Sequence, residues 1–290
     1  MTAPTAGAVA TAATLTTLDA AYREALARTS AGVLRIMLAS WRQVNLDDLA
    51  DTSAPWLDDS IAAVLAGRRA AEGLANAYMT RVRNLTVPDA PSFTPPPAEP
   101  PSVEQIRNSL EFTGIKQTVW EYAKQQTFAE EQRFRDDDGV ETRPAAVPKQ
   151  KILEDGIVRA SGAAIRHVTT AGFDQIKKNV QEDRVAIGWY RTTKAGCCYF
   201  CAMLASRALV YKEDSFKASN AKFKGPGEQK VHDRCGCGLR PVYTASDDLP
   251  ERTAEFEQMW IDHAEGYSGA DAIYHFRLAY EGRVAPRSGR

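Results

Sequence analysis

The 290-residue sequence predicts a mainly α chain with a small β element, an α+β architecture in three parts. Residues 1–86 read as an N-terminal helical hairpin, 87–101 as a proline-rich linker, and 102–290 as a helical domain holding a small sheet. Three observations predict this. Over long stretches, apolar residues recur at three- and four-residue steps, which stacks them on one helix face. Seven of the fifteen prolines fall between Pro88 and Pro101. All five cysteines fall within residues 197–237, where helical periodicity gives way to short β-rich runs. A composition of 44% hydrophobic and 25% charged residues disfavours disorder, a collagen-like repeat and a disulfide miniprotein. A net charge of −1 gives no global attraction to nucleic acid or anionic membrane.

In chain order, Met1 to Thr17 is rich in Ala and Thr and lacks the basic start and dense apolar stretch of a secretory signal. Thr17 is expected to cap a helix reaching about Val44, with Leu18, Tyr22, Leu26, Val33, Met37 and Trp41 on one face. The Asp-rich segment from Asn45 to Pro55 reads as a turn. A second helix from about Trp56 to Leu85 carries Leu57, Ile61, Val64, Leu65, Leu74, Tyr78 and Val82. Two amphipathic helices with a short turn predict an antiparallel hairpin. The proline run lacks amide donors and fixes φ, so it predicts an extended spacer. Ser102 and Gln105 read as a capping box opening the next helix, to about Gln126.

The acidic triplet Asp136–Asp138 lies in a predicted surface loop and lacks the alternating ligands and closing Glu of a calcium loop. From Lys149 to about Gln181 the pattern is helical again, with Gly162 and Gly172 as candidate bends and His167 within it. Val185–Thr193, Ala208–Tyr211 and Pro241–Tyr243 are β candidates, and Leu249–Glu281 is helical with an interruption at Gly266–Gly269. No run of about 18 strongly apolar residues occurs, so no transmembrane helix and no membrane partner are expected, and the chain is expected to fold in a reducing cytoplasm.

The cysteine window carries the chemistry. Its skeleton is Cys198-x2-Cys201, a thirty-residue spacer, then His232-x2-Cys235-x-Cys237. A Cys-x2-Cys turn holds two thiolates near the separation one tetrahedral zinc requires, and a second His and Cys group supplies the other pair. An odd cluster of cysteines in a chain without a secretory signal points to metal before disulfides. The preferred ligands are Cys198, Cys201, His232 and either Cys235 or Cys237, with Cys197 a bystander. Four such ligands close the sphere, giving a structural zinc that clamps the small sheet. Two other readings stay open: a pair of disulfides in an oxidising extracellular particle, and a reactive thiol in which Cys198 or Cys201 pairs with His232.

Between the donor pairs, Lys212, Lys217, Lys222, Lys224 and Lys230 alternate with Phe216 and Phe223, a segment suited to phosphate contact or to plain solvation. Its GPGEQK stretch fails the P-loop spacing, and HExxH and GxSxG are missing from the chain. Nothing in the sequence demands an enzyme.

Three stretches together resemble the MuF-like minor head proteins of tailed phages, in the form found in actinobacteriophages. They are Asp183-Arg184-x-Ala186-x-Gly188-Trp189-x-Arg191, Cys198-Tyr199-Phe200-Cys201 running on to Arg207, and His232-Asp233-x-Cys235-x-Cys237. Trp260 and Phe276-Arg277-x-Ala279-Tyr280 fit the same pattern, so the resemblance runs from about Lys149 to Gly282. It implies a minor capsid protein at the portal vertex, acting in head morphogenesis and in DNA packaging or ejection. The implied partners are the portal protein, scaffold or major capsid protein, and packaged DNA. The implied location is the virion, in the capsid interior or at the portal vertex, after assembly in the host cytoplasm. The family's pattern maps onto Cys198, Cys201, His232, Cys235 and Cys237, and Cys197 departs from it by standing directly before the Cys-x2-Cys pair. Some neighbouring proteins are labelled capsid maturation proteases, which makes protease the alternative function. A host nucleic-acid-binding zinc module is a third reading.

Overall fold

The computed structural model describes residues 6–131, 134–135, 141–142, 147–211, 236–244 and 251–283. The acidic triplet Asp136–Asp138, the lysine-bearing segment 212–230, His232 and Cys235 lie outside the described residues. The chain is mainly helical with a small antiparallel sheet. It falls into two compact units, each assembled from separate stretches of sequence. One takes in the described residues of Thr29–Arg69 and Glu99–Val168, the other those of Met1–Arg28, Ala70–Ala98 and Thr169–Arg290.

Helix α1 spans Ala6–Trp41. It starts well before Thr17, because Ala is the strongest helix former and the alanine-rich run continues the helix toward the N-terminus. Thr17 therefore lies inside the helix instead of capping it, and its hydroxyl donates to the Ala13 carbonyl at 3.0 Å. Helix α2 spans Leu49–Thr86 and follows a single 3₁₀ turn at Leu46–Asp48. The expected turn is thus shorter, and Pro55 lies within the helix. Asn45 opens the turn by accepting from the Asp47 amide at 3.0 Å, while its own amide donates to Thr52 at 3.0 Å.

In the first unit, Val33, Met37 and Trp41 of α1 form a core with Trp56, Ile61 and Val64 of α2. Trp41 meets Trp56 edge-on at 4.7 Å and donates its indole N–H to the Leu153 carbonyl. Helix α3, Val103–Leu110, begins on the Ser102 cap, whose hydroxyl accepts from the Gln105 amide at 3.2 Å. A π-helical turn over Glu111–Lys116 joins it to α4, Gln117–Glu131. There Gly114 lies beneath Trp56, so close that an added Cβ would sit 2.6 Å from the indole ring. A short hairpin pairs β1, Phe134–Arg135, with β2, Glu141–Thr142.

Helix α5 runs unbroken over Lys149–Glu182, so neither Gly162 nor Gly172 interrupts it. Gly172 instead marks a close approach in the second unit, where a Cβ would meet the Tyr22 hydroxyl at 2.6 Å. Phe173, Ile176 and Val180 of α5 are buried in this unit, and Tyr22 stacks on Tyr78 at 4.5 Å. Its proline segment has no regular structure and is tied by side chains. Arg83 donates to the Pro91 carbonyl at 2.5 Å and Gln175 to the Pro96 carbonyl at 2.9 Å.

The sheet of the second unit has strand order β4-β3-β5, all antiparallel, with β3 at Gly188–Thr192, β4 at Val210–Tyr211 and β5 at Gly238–Val242. Strand β5 starts three residues earlier than Pro241, and its register pairs Gly188 with Val242 and Thr192 with Gly238. Helix α6, Tyr199–Ala205, follows β3, and helices α7, Glu251–His263, and α8, Gly269–Tyr280, complete this unit.

Candidate functional site

The site is built where β3 ends. After Thr192 the chain turns through Gly196, whose φ of +65° is the left-handed conformation that favours glycine, and the Cys197 amide closes the turn on the Lys194 carbonyl at 3.3 Å. Cys198 is extended, with φ −72° and ψ 159°, and stands as the N-cap of α6. Its sulfur accepts from the Cys201 amide at 3.4 Å, so the Cys-x2-Cys spacing is realised as a thiol-capped first helical turn. Cys198 is exposed, whereas Cys201 is 2% exposed.

Cys237 reaches the same end of the sheet by strand pairing. It stands directly before β5, and the adjacent Gly238 pairs with Thr192, the last residue of β3. That pairing needs a glycine, because a Cβ at Gly238 would lie 2.8 Å from the Thr192 hydroxyl. Cys237 is 2% exposed. None of Cys197, Cys198, Cys201 and Cys237 is in a disulfide. Soft thiolates suit zinc in chemistry. Among the described residues, no three or more His, Cys, Asp or Glu side chains are gathered closely enough to hold an ion. His232 and Cys235 lie outside those residues, so the structure places three of the five expected donors.

Cys197 has different surroundings. It is 6% exposed, its carbonyl accepts from the Tyr280 hydroxyl of α8, and its sulfur lies 3.7 Å from that hydroxyl. Burial first, then the contact with the Cys197 sulfur, push the Tyr280 hydroxyl up to about 12. One residue beyond Cys198, the Arg277 guanidinium of α8 lies 4.9 Å from the centre of the Tyr199 ring.

His167 is on α5, in the first unit. Burial first, then the nearby Arg166 and Arg68 charges, pull its pKa down to about 4. His275 stacks on Tyr267 at 3.8 Å.

Two buried ion pairs of the second unit escaped sequence reasoning. Arg240 of β5 is bonded through Nε to both Asp19 carboxylate oxygens at 3.0 and 2.8 Å, and Tyr78 donates to the same carboxylate. Burial alone would lower the Arg240 pKa, but the bonds to Asp19 outweigh it and hold it above its ordinary value. Arg83 pairs with Asp183 at 2.8 Å, and Asp183 also accepts from the Val185 amide at 3.2 Å. A signal did exist: Asp19 stands one helical turn from Leu15 and Tyr22, inside an otherwise apolar stripe.

Among the described residues, no helix is long and apolar enough to cross a membrane. Compared with known proteins, the chain is matched by the model of the VG15 protein family over residues 14–262. No curated protein matches, and no solved structure matches.

Proposed function

The chain belongs to the VG15 protein family, a viral gene protein family that points to a phage protein, and from that premise we propose a minor capsid protein of the portal vertex. It acts in head morphogenesis, assembling in the host cytoplasm and remaining in the virion. The portal protein is its principal partner, with scaffold or major capsid protein and packaged DNA as further ones. One observation carries the reading: the family match spans residues 14–262, which includes the Cys-x2-Cys turn and the Asp183–Arg191 stretch that resemble MuF-like minor head proteins. The helical architecture supports it, since long amphipathic helices suit a structural role.

The resident ion in this reading is one zinc held by Cys198, Cys201, His232 and either Cys235 or Cys237. When bound it supplies a closed, non-catalytic cross-link. Elemental analysis of the full chain, purified without chelators, is expected to give about one zinc per chain. Most thiols should then be protected until denaturation.

The deciding experiment is co-expression with the portal, scaffold and major capsid proteins of the same phage, followed by isolation of the assembled heads. Retention with portal-containing particles is expected, with no change in coat-protein mass. Cleavage of the coat protein would establish the alternative, a capsid maturation protease. Absence from the particles would overturn the minor capsid reading.

A further inference from the structure

We infer that the outer face of the α3–α4 helical stretch is a docking ridge for an apolar groove, edged by carboxylates, on the portal protein. The inference rests on the capsid reading above and names the surface that reading requires. Phe112, Val119 and Trp120 are 55%, 42% and 62% exposed, three large apolar side chains within nine residues. A single exposed apolar group is ordinary, whereas a clustered set of this kind marks an interaction surface. In an unbroken α-helix, residues eight positions apart lie about 80° out of line. The π-turn over Glu111–Lys116 takes more residues per revolution, so it turns Trp120 back toward the line of Phe112. Val119 stands beside Trp120, seven residues from Phe112, which is the spacing of anchors on a docking helix.

The ridge is held before any partner arrives. On its inner side Gly114, Ile115 and Thr118 are buried, with Gly114 against the Trp56 indole. Arg159 of α5 donates to the Thr113 carbonyl at 3.4 Å and to the Thr118 hydroxyl at 3.3 Å. That hydroxyl donates in turn to the Gly114 carbonyl, so polar groups at the wider turn have partners. A preformed ridge avoids part of the ordering cost of binding. Its charge selects the occupant. Lys124 sets its ammonium 5.2 Å from the centre of the Trp120 ring, and among the described residues it has no carboxylate partner. Lys116, exposed between the two aromatic residues in sequence, pairs with Glu111 at 3.1 Å. Aromatic anchors flanked by cations match an apolar groove edged by Asp or Glu. Duplex DNA fits less well, because its bases are already stacked and Lys124 already covers one face of Trp120.

The test uses the full-length chain, with the purified portal, scaffold and major capsid proteins of the same phage as separate probes in surface-binding kinetics. The wild type is expected to bind the portal protein. Trp120→Ala should weaken that binding about 30-fold or more, the effect of losing a central aromatic anchor. Lys124→Glu should slow association, with the loss fading at high salt, and leave dissociation nearly unchanged. Tyr274→Ser removes an exposed aromatic side chain from α8 and should bind as the wild type does. All three positions are exposed, so melting temperatures equal to the wild type are expected and show that each variant folds. Wild-type portal binding by both Trp120→Ala and Lys124→Glu would overturn the ridge alone. The portal would be overturned as occupant if Trp120→Ala instead abolished binding to scaffold or coat protein, self-association in sedimentation, or binding to a duplex oligonucleotide. A wild-type chain that binds none of the three head proteins would overturn the capsid reading together with the ridge.

Discussion

Arg83 and Asp183 are both nearly inaccessible to solvent, and each makes the other tolerable there. Replacing one partner strands a buried charge, so Arg83→Leu should cost about 3–5 kcal/mol in urea unfolding, whereas the double change to apolar residues should recover much of it. Equal losses in the single and double variants would show that packing, not charge, dominates at this position. His167 sets a pH dependence of the opposite chemical kind. Its native pKa of about 4 lies below the ordinary 6.5, so folding favours the neutral ring. That contribution is fully present above pH 6.5 and is lost as pH falls toward 4. It amounts to about 3 kcal/mol at most across that window. In His167→Gln the unfolding free energy should therefore fall less steeply between those pH values than in the wild type, and parallel profiles would refute the assignment. Neither feature is marked by local pattern: an Asp after a helix and a His within one look like surface groups until their neighbours are known.

At the scale of elements, glycines separate propensity from packing. In α5, a Cβ at Gly156 would lie 2.3 Å from the Thr118 hydroxyl and 3.1 Å from the Trp41 ring. Gly156→Ala should destabilise by about 1–3 kcal/mol through overpacking, although alanine is the better helix former. Gly73, inside α2, has nothing within 4 Å, so Gly73→Ala should stabilise by about 0.5–1 kcal/mol. Chemical unfolding of the two variants side by side checks the pair, and the same sign in both would contradict the packing at Gly156. The same contrast explains what periodicity misread. Gly162 and Gly172 weaken helix propensity, yet α5 runs through both, because tertiary burial outweighs a deficit of about 1 kcal/mol each. Likewise α1 begins at Ala6 because an alanine run needs no polar cap to propagate, and α2 tolerates Pro55 inside it. The π-turn at Glu111–Lys116 had no sequence signal, since a wider helical turn uses the same residue types as an α-helix.

At the scale of the molecule, α1, α2 and α5 each contribute residues to both compact units. Unfolding should therefore be one cooperative transition, with tryptophan fluorescence and far-ultraviolet circular dichroism giving the same urea midpoint; two separated midpoints would show independently stable units. The helical character of the chain, the Ser102 cap, the presence of strands near Gly188, Val210 and Pro241, and the gathering of all five cysteines into residues 197–237 were legible in the sequence. Each of these follows from short-range periodicity, capping chemistry or spacing, which operate within a few residues. That Asp19 meets Arg240, that Arg83 meets Asp183, and that β5 returns Cys237 to the end of β3 emerge from the three-dimensional packing. It alone placed Tyr280 and Arg277 of α8 on the two neighbours of Cys198. Those pairings join residues about 40 to 220 positions apart, and they arise because buried charges must find partners and apolar faces must be covered, conditions no local pattern encodes.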